Sequence, residues 1–414
     1  MGEVMKTSRK HSINGPSGQM PNADMDTSAY KKLLFWLVLA AGIAQLVSCT
    51  GAGEDTKTGS GGTGMAPALD VSSSSGPTTG LDPFAVAGRS LDDSSAVVVI
   101  NATSNRSTAD LRLGMAIDVS ADANASSTTA KARTISAQST VRGPLRVVNA
   151  GQGELTVLGQ TAQIDQNTLL DGFASVGSLK TGDMIEVHGI MQRDLSKVLA
   201  TRVTLIRDAS ANQSVEIIGT VSNLSGGQFQ LGGTTITNAP SGFSNGERVR
   251  VVGTQNGATS VAAMQANATP LPARSTGALV TVEGIVQDAL PGAPTRIRIG
   301  DLDIDVTSLP GATSTALVVG SRAVIRGTKE ATTLRATEAR VIAPSDKIAY
   351  QLSGGVTDFV SRASFKVRGE AVNASAASFI GGTVTDLAAG KRVRVIGVAG
   401  AGALDAVEVT FLTP

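Results

Sequence analysis

The stretch Leu387-Ala-Ala-Gly390-Lys-Arg-Val393-Arg-Val395-Ile-Gly397 constrains the fold most, because the chain repeats its frame. The frame is an apolar residue, two spacers, glycine, two spacers, then alternating apolar residues that end on glycine. It recurs at Leu317…Gly320…Ala323…Ile325…Gly327, at Phe243…Gly246…Val249…Val251…Gly253 and at Leu179…Gly182…Ile185…Val187…Gly189. A fifth copy, Leu111…Gly114…Ile117…Val119, ends on Ala121 in place of glycine. Recurrence of this kind means one small supersecondary unit copied along the chain. Alternation with period two means that the unit is built of strands.

Each full copy holds five apolar runs. The first contains a glycine, at Gly143, Gly219, Gly284 and Gly354, and these lie 76, 65 and 70 residues apart. A glycine inside a strand marks a bulge, a bend or a close backbone approach. Runs two and three read as a hairpin: Leu155–Ile164, Phe229–Ile236, Ile297–Ile304 and Phe365–Val372. Glycine in each short connection supplies the positive φ of a tight turn, although the in–out phase differs between copies. The opening motif is run four. Run five follows at Ala200–Leu205, Ala262–Ala266, Ala336–Val341 and Ala406–Phe411. In the first copy, Phe84–Gly88 and Ala96–Ile100 read as early strands and Ala132–Ile135 as the last.

Five short strands with a longer gap before the fourth predict an all-β chain of tandem small OB-like Greek-key barrels, with an SH3-like barrel as the rival shape. The predicted organisation is a signal peptide over 1–48, a disordered tether over 49–81, a degenerate repeat over 82–139, and repeats over 140–209, 213–269, 277–344 and 348–414. Barrels this small bury only about 60% of their unfolded surface, so neighbours gain by packing. The linkers around Pro270-Leu-Pro272 and Ala343-Pro344-Ser345 predict a semi-rigid string.

Val141-Arg-Gly-Pro144, Leu155-Thr-Val-Leu-Gly-Gln160, Gly182-Asp-Met-Ile-Glu-Val187 and Ala200-Thr-Arg-Val203 resemble the bacterial envelope proteins built from the repeated domain of unknown function numbered 5666. The resemblance covers about residues 82–412. It implies an OB-like repeat lipoprotein and carries no activity with it.

The N-terminal segment gives the location. Lys31 and Lys32 precede the apolar run Leu33–Val47, the plan of a secretory signal. The run ends Leu46-Val47-Ser48-Cys49, which resembles a bacterial lipobox, so Cys49 is the expected lipid attachment site. A start at Met25 would give a signal of more ordinary length. Thr50, where an Asp would favour retention at the inner membrane, points to the outer membrane, facing the periplasm or the cell surface. Two or more acyl chains suffice for stable anchoring. Cys49 is the single cysteine, so no disulfide framework forms within the chain.

Residues that carry chemistry are few. Nucleophilic catalysis of the Ser-His or Cys-His kind needs a histidine base, and only His11 and His188 exist. His11 precedes the signal's apolar run. His188 stands in the motif where other copies have Val252, Arg326 and Ile396, which reads as a tolerant strand site. Asp301, Asp303 and Asp305 lack the glycine and glutamate that a calcium loop requires, since Val306 and Ala312 occupy those places. A two-residue turn at Gly300-Asp301 would set Arg298 against Asp303 and Arg296 against Asp305.

The net charge is +1, and removing residues 1–48 takes away five Lys/Arg and three Asp/Glu, which leaves the remainder no more basic. Aromatic residues make up 3% of the chain. Nucleic-acid binding wants a basic groove with stacking rings. Arg248/Arg250 and Lys391/Arg392/Arg394 read instead as alternating charges on solvated strand faces. The expectation is a non-enzymatic envelope lipoprotein without cofactor or metal, binding a protein, a glycan or a small polar ligand. Its variable surface would be the loop after the second motif glycine, near Met191–Lys197, Thr254–Ser260, Thr328–Thr333 and Val398–Leu404. The alternatives are a structural spacer, a carboxylate-only enzyme and a nucleic-acid-binding OB protein.

Overall fold

The two glycines of the repeated motif have separate physical jobs. The computed structural model describes residues 71–122, 129–192, 196–206, 214–269, 271, 274–289 and 295–413. The first motif glycine ends a turn with left-handed φ in every copy: Gly114 at 75°, Gly182 at 95°, Gly246 at 89°, Gly320 at 92° and Gly390 at 83°. Its N–H donates to a first-strand carbonyl, that of Thr78, Leu145, Val221, Val286 and Val356 in turn. The N–H of each of those five residues donates back to the carbonyl of the residue after the glycine, Met115, Asp183, Glu247, Ser321 and Lys391. This reciprocal pair fastens strand four to strand one. The second motif glycine sits at a β-bulge between strands four and five, where the register slips at Gly189, Gly253, Gly327 and Gly397. The first copy slips at the same place, beside Ala121.

Five closed barrels result. In each, strand one pairs antiparallel with strand two, two with three, three runs parallel to five, and five and one flank four, as in Phe365–Val372 and their neighbours in the last copy. This is the connectivity of an OB-like Greek-key barrel, and the all-β expectation holds. The barrels span 71–137, 141–205, 215–268, 279–342 and 350–411. The opening leucine of the motif follows a helical turn at Leu111, Leu179, Leu317 and Leu387 and is buried each time.

The hairpins share one register. Each turn has two residues, flanked by the pairs Val86↔Arg89, Val157↔Gln160, Leu231↔Thr234, Ile299↔Leu302 and Val367↔Glu370. Ala87-Gly88, Leu158-Gly159 and Arg368-Gly369 have positive φ at both positions, the I′ pattern, whereas Gly232 and Gly300 have it at the first position only. Leu158 is apolar, buried and yet a turn residue, which is why the sequence phase differs between copies. The first-strand glycine makes room for this hairpin: a Cβ on Gly143 or Gly354 would lie 3.0 Å from Leu158 Cγ or Arg368 Cγ.

Two expectations are corrected. The predicted tether over 49–81 and first repeat from 82 give way to a strand at Val71–Leu81, which is strand one of the first barrel. Its Gly76 takes the place of Gly143, Gly219, Gly284 and Gly354, 67 residues before the first of them. Ser72, Ser73, Ser74 and Thr78 are fully buried there although none is apolar. The rest of 1–70, with the expected signal peptide, His11 and Cys49, lies outside the described residues.

The string of barrels is the second correction, because the barrels pack out of sequence order. Strand Val71–Leu81 runs parallel to Leu279–Ile285 of the fourth barrel through Ser73–Ser75 and to Tyr350–Ser361 of the fifth through Gly80–Leu81. The second and third barrels join through their first strands, Arg142↔Glu216 and Val141↔Ile217. Barrels one and five share one apolar core, barrels two and three another, and barrel four has its own.

Polar side chains close the junctions. Asn167 of barrel two accepts from Ile348 N–H (2.8 Å) on its side-chain oxygen, and its backbone carbonyl accepts from the Tyr350 hydroxyl (2.8 Å). Burial holds the Tyr350 phenol well above its ordinary pKa. Arg202 of barrel two reaches Glu370 of barrel five (3.1 Å) and the Leu113 carbonyl of barrel one (3.0 Å).

Candidate functional site

A cleft lies beside the linker between barrels three and four, which the sequence reads as a stiff spacer. Arg248 starts the fourth strand of barrel three, and Leu271 and Arg274 lie on the linker. Asp301 is the second residue of the hairpin turn of barrel four and Leu302 opens the strand after it, while Lys329 ends strand four and Thr332 lies in the loop that leads to strand five. These seven residues line a cleft of about 390 Å³, within the ~300–1,000 Å³ range of ligand pockets. Three cations and one carboxylate belong to the lining. Arg274, whose side chain is only 6% exposed, donates to Asp301 (2.7 Å) and to the Ser75 hydroxyl of barrel one (3.4 Å). Among the described residues its Nε–H has no hydrogen-bond partner. The Lys329 ammonium donates to the carbonyls of Glu330 and Ala331 (2.5 and 3.1 Å). Arg248 lies 3.9 Å from Asp118 of barrel one, beyond hydrogen-bond reach.

The four variable loops have different fates. Ser196, in the loop of barrel two, lies against Gly233 in the hairpin turn of barrel three, and Thr259, in the loop of barrel three, lies against Gly159 in the hairpin turn of barrel two. Gly402, in the loop of barrel five, abuts the Phe173 carbonyl and Ala174 of barrel two. Each of those loops thus sets a residue against a neighbouring barrel. Among the described residues of the four loops, only Lys329 and Thr332 of the Thr328–Thr333 loop line the cleft.

The other singled-out residues are structural in their placement. Arg298 pairs with Asp303 (2.7 Å) and Arg296 stands in register with Asp305, as the turn predicts. Such exposed pairs contribute about 0.2–1 kcal/mol each. The Asp305 carboxyl is held low by the Thr307 hydroxyl and N–H. Lys391 and Arg392 are exposed and Arg394 is half-buried. Arg250 is a correction: it is buried and paired with Glu216 (2.6 Å). Burial pushes the Glu216 carboxyl up, and Arg250 offsets this only in part. Among the described residues no three His, Cys, Asp or Glu side chains converge as metal ligands would.

His188 is also a correction to the tolerant-site reading. It is fully buried between barrels one and two. Its Nε2 lies 3.0 Å from Glu186 and its Nδ1 3.1 Å from the Gln138 carbonyl and 3.4 Å from Ala116 N. Glu186 also accepts from Asn101 (3.3 Å). Burial would raise the Glu186 carboxyl, yet the His188 contact holds it below the usual range. We expect His188→Val to cost about 1–3 kcal/mol, the loss of a partner for a buried acceptor. Ile396→Val at the equivalent place should cost about 0.5–1.5 kcal/mol. Urea unfolding midpoints compare the two, and equal costs would restore the tolerant-site reading.

Residues 142–204 match the family described as "Domain of unknown function (DUF5666)". The match covers the second barrel apart from its outermost residues. No curated protein matches the chain. Among solved structures, one titled "drosophila Unr CSD456" is 16% identical, covers 49% of this chain and 100% of its own, and superposes with a TM-score of 0.16, which leaves the second barrel to be interpreted from its own residues.

Of the cleft residues, Lys329 and Thr332 fall in a loop that the repeat pattern marks as a contact surface, and Arg248 stands out as a charged strand residue. Leu271 and Arg274 carry no such mark. A lone arginine after a proline-rich linker has no periodic signal, and its partners come from barrels one and four.

Proposed function

We propose that this protein is a non-enzymatic binding protein, anchored through lipid at Cys49 to the outer membrane, whose packed barrels hold a ligand cleft between barrels three and four. The observation that carries the reading is the cleft beside the fourth loop, whose lining holds three cations to one carboxylate, while each of the other three loops sets a residue against a neighbouring barrel. The spacer alternative loses ground because barrel one pairs with barrels four and five. A spacer gains from reach, and this chain folds back on itself. The cleft lining has no aromatic ring, which weighs against the stacking that single-stranded nucleic acids use.

The test joins membrane fractionation to a thermal-shift screen of envelope glycans, peptidoglycan fragments and small polar metabolites. Cys49→Ala should move the protein to the soluble fraction. A ligand at 100 times its Kd should stabilise the protein by about 2.7 kcal/mol, and Lys329→Glu should remove that gain. If nothing stabilises the protein in a way that Lys329→Glu abolishes, the cleft is not a binding site.

A further inference from the structure

The cleft lining combines three kinds of group. Arg248, Arg274 and Lys329 supply positive charge, Asp301 supplies an acceptor whose side chain is 50% exposed, and half-buried Leu271 supplies aliphatic surface, with Leu302 buried behind the lining in the core of barrel four. Arg274 is largely committed to Asp301 and Ser75, so Arg248 and Lys329 are the cations with capacity for a ligand. The Arg248 side chain is 32% exposed, and it holds only a long ion pair with Asp118 (3.9 Å) and a long hydrogen bond to the Thr269 carbonyl (3.4 Å). Lys329 is held by carbonyls, which satisfy its donors but do not neutralise its charge. A small anion alone would leave Leu271 and the open oxygen of Asp301 unused. A nucleobase would find no ring to stack on. A pyranose bearing one anionic group would use every part, with its anion toward Arg248 and Lys329, a hydroxyl donating to Asp301 and its C–H face against Leu271. Charge-assisted hydrogen bonds to the anion would be the strong ones.

We propose that the cleft binds a sugar carrying a single anionic group, a uronate or a sugar phosphate. This rests on reading the protein as a binder and names its ligand class. Saturation-transfer NMR and calorimetry on the purified full-length chain test it, with glucuronate, glucose 6-phosphate, glucose and acetate as probes. At least one of the two anionic sugars should bind about tenfold or more tighter than glucose and than acetate, and which one binds tells carboxylate from phosphate. Raising salt should weaken that binding several-fold. Lys329→Gln and Arg248→Gln should each weaken it about tenfold, and Asp301→Asn should weaken the sugar without changing acetate. Arg298→Gln, a paired surface arginine outside the cleft lining, should leave it unchanged. Equal binding of glucose, equal binding of acetate, or an equal loss with Arg298→Gln would each overturn the proposal. If neither anionic sugar binds but another compound gives stabilisation that Lys329→Glu abolishes, the ligand class falls and the binding reading survives; if no compound does, both fall.

Discussion

Replacing Glu370 by alanine should lower the stability of the folded chain by about 3–5 kcal/mol, the range for stripping one partner from a buried ion pair. Glu370 is 7% exposed and Arg202 2% exposed. The guanidinium donates to both Glu370 oxygens (3.2 and 3.1 Å), to Asp171 (2.6 Å) and to the Leu113 carbonyl. Burial alone would lower the Arg202 pKa, and Glu370 and Asp171 together more than offset it. Glu370 has a second duty, because its Oε1 accepts the Leu113 N–H at 2.9 Å. Alanine therefore leaves a buried cation with only Asp171, whose side chain is 46% exposed, and leaves a buried amide unpaired. Three barrels meet at this point, so the loss loosens their packing together.

Two controls separate charge from packing. Glu370→Gln keeps an acceptor and should cost about 1–3 kcal/mol. The double replacement Arg202→Met with Glu370→Leu removes both charges and should recover much of the stability lost by alanine, since apolar groups of similar volume often replace a buried pair at no cost. Urea unfolding followed by circular dichroism gives the order. An alanine variant within about 1 kcal/mol of the parent would mean that the pair is solvated in solution and does not hold the barrels together.

What the sequence reveals and hides follows from where each feature gets its signal. The motif, the five strands and the hairpin glycines repeat, so period and turn chemistry expose them, and the Arg298–Asp303 pairing follows from a two-residue turn. Strand one of the first barrel is hidden because Ser74 and Thr78 fill places that every other copy gives to apolar residues, and Ser72 fills one that the last three copies give to Val215, Val280 and Tyr350. Serine-rich composition reads as a tether when only local burial is considered. In the fold, the strand lies between the fourth strand of its own barrel and the first strand of barrel four, and Arg89 donates to the Ser74 and Ser72 hydroxyls (3.5 Å each). Arg202, Glu370, His188 and Arg274 are singletons within the repeat. Each acquires its role from a different barrel, at sequence separations of up to 199 residues, and no periodicity marks such a partner.

The bulge glycine should prove the least replaceable part of the repeated motif. A Cβ on Gly253 or Gly327 would overlap the backbone carbonyl of Ala262 or Arg335 on the adjoining strand, and one on Gly397 would lie 2.6 Å from the Asp405 carbonyl. A side chain can swing away from an intruding methyl, but a carbonyl already in a sheet ladder moves only with its strand. Overpacking of this kind costs about 1–3 kcal/mol and occasionally more, and Gly327→Ala should fall at about 3 kcal/mol. The turn glycine has a different constraint. Gly246 has φ of 89°, and a Cβ added there would have nothing within 4 Å, so Gly246→Ala meets only the left-handed backbone penalty of about 1–2 kcal/mol. Ala121 supplies the internal comparison, since the first barrel keeps the bulge with a methyl in place. Ala121→Gly should cost about 0.5–1 kcal/mol through added chain entropy. Urea midpoints of the three variants should therefore fall in the order Ala121→Gly, Gly246→Ala, Gly327→Ala, from mildest to worst. If Gly327→Ala proved as mild as Ala121→Gly, the carbonyl contact would not be what keeps glycine at that place, and the shared geometry of the bulge across barrels would need another cause.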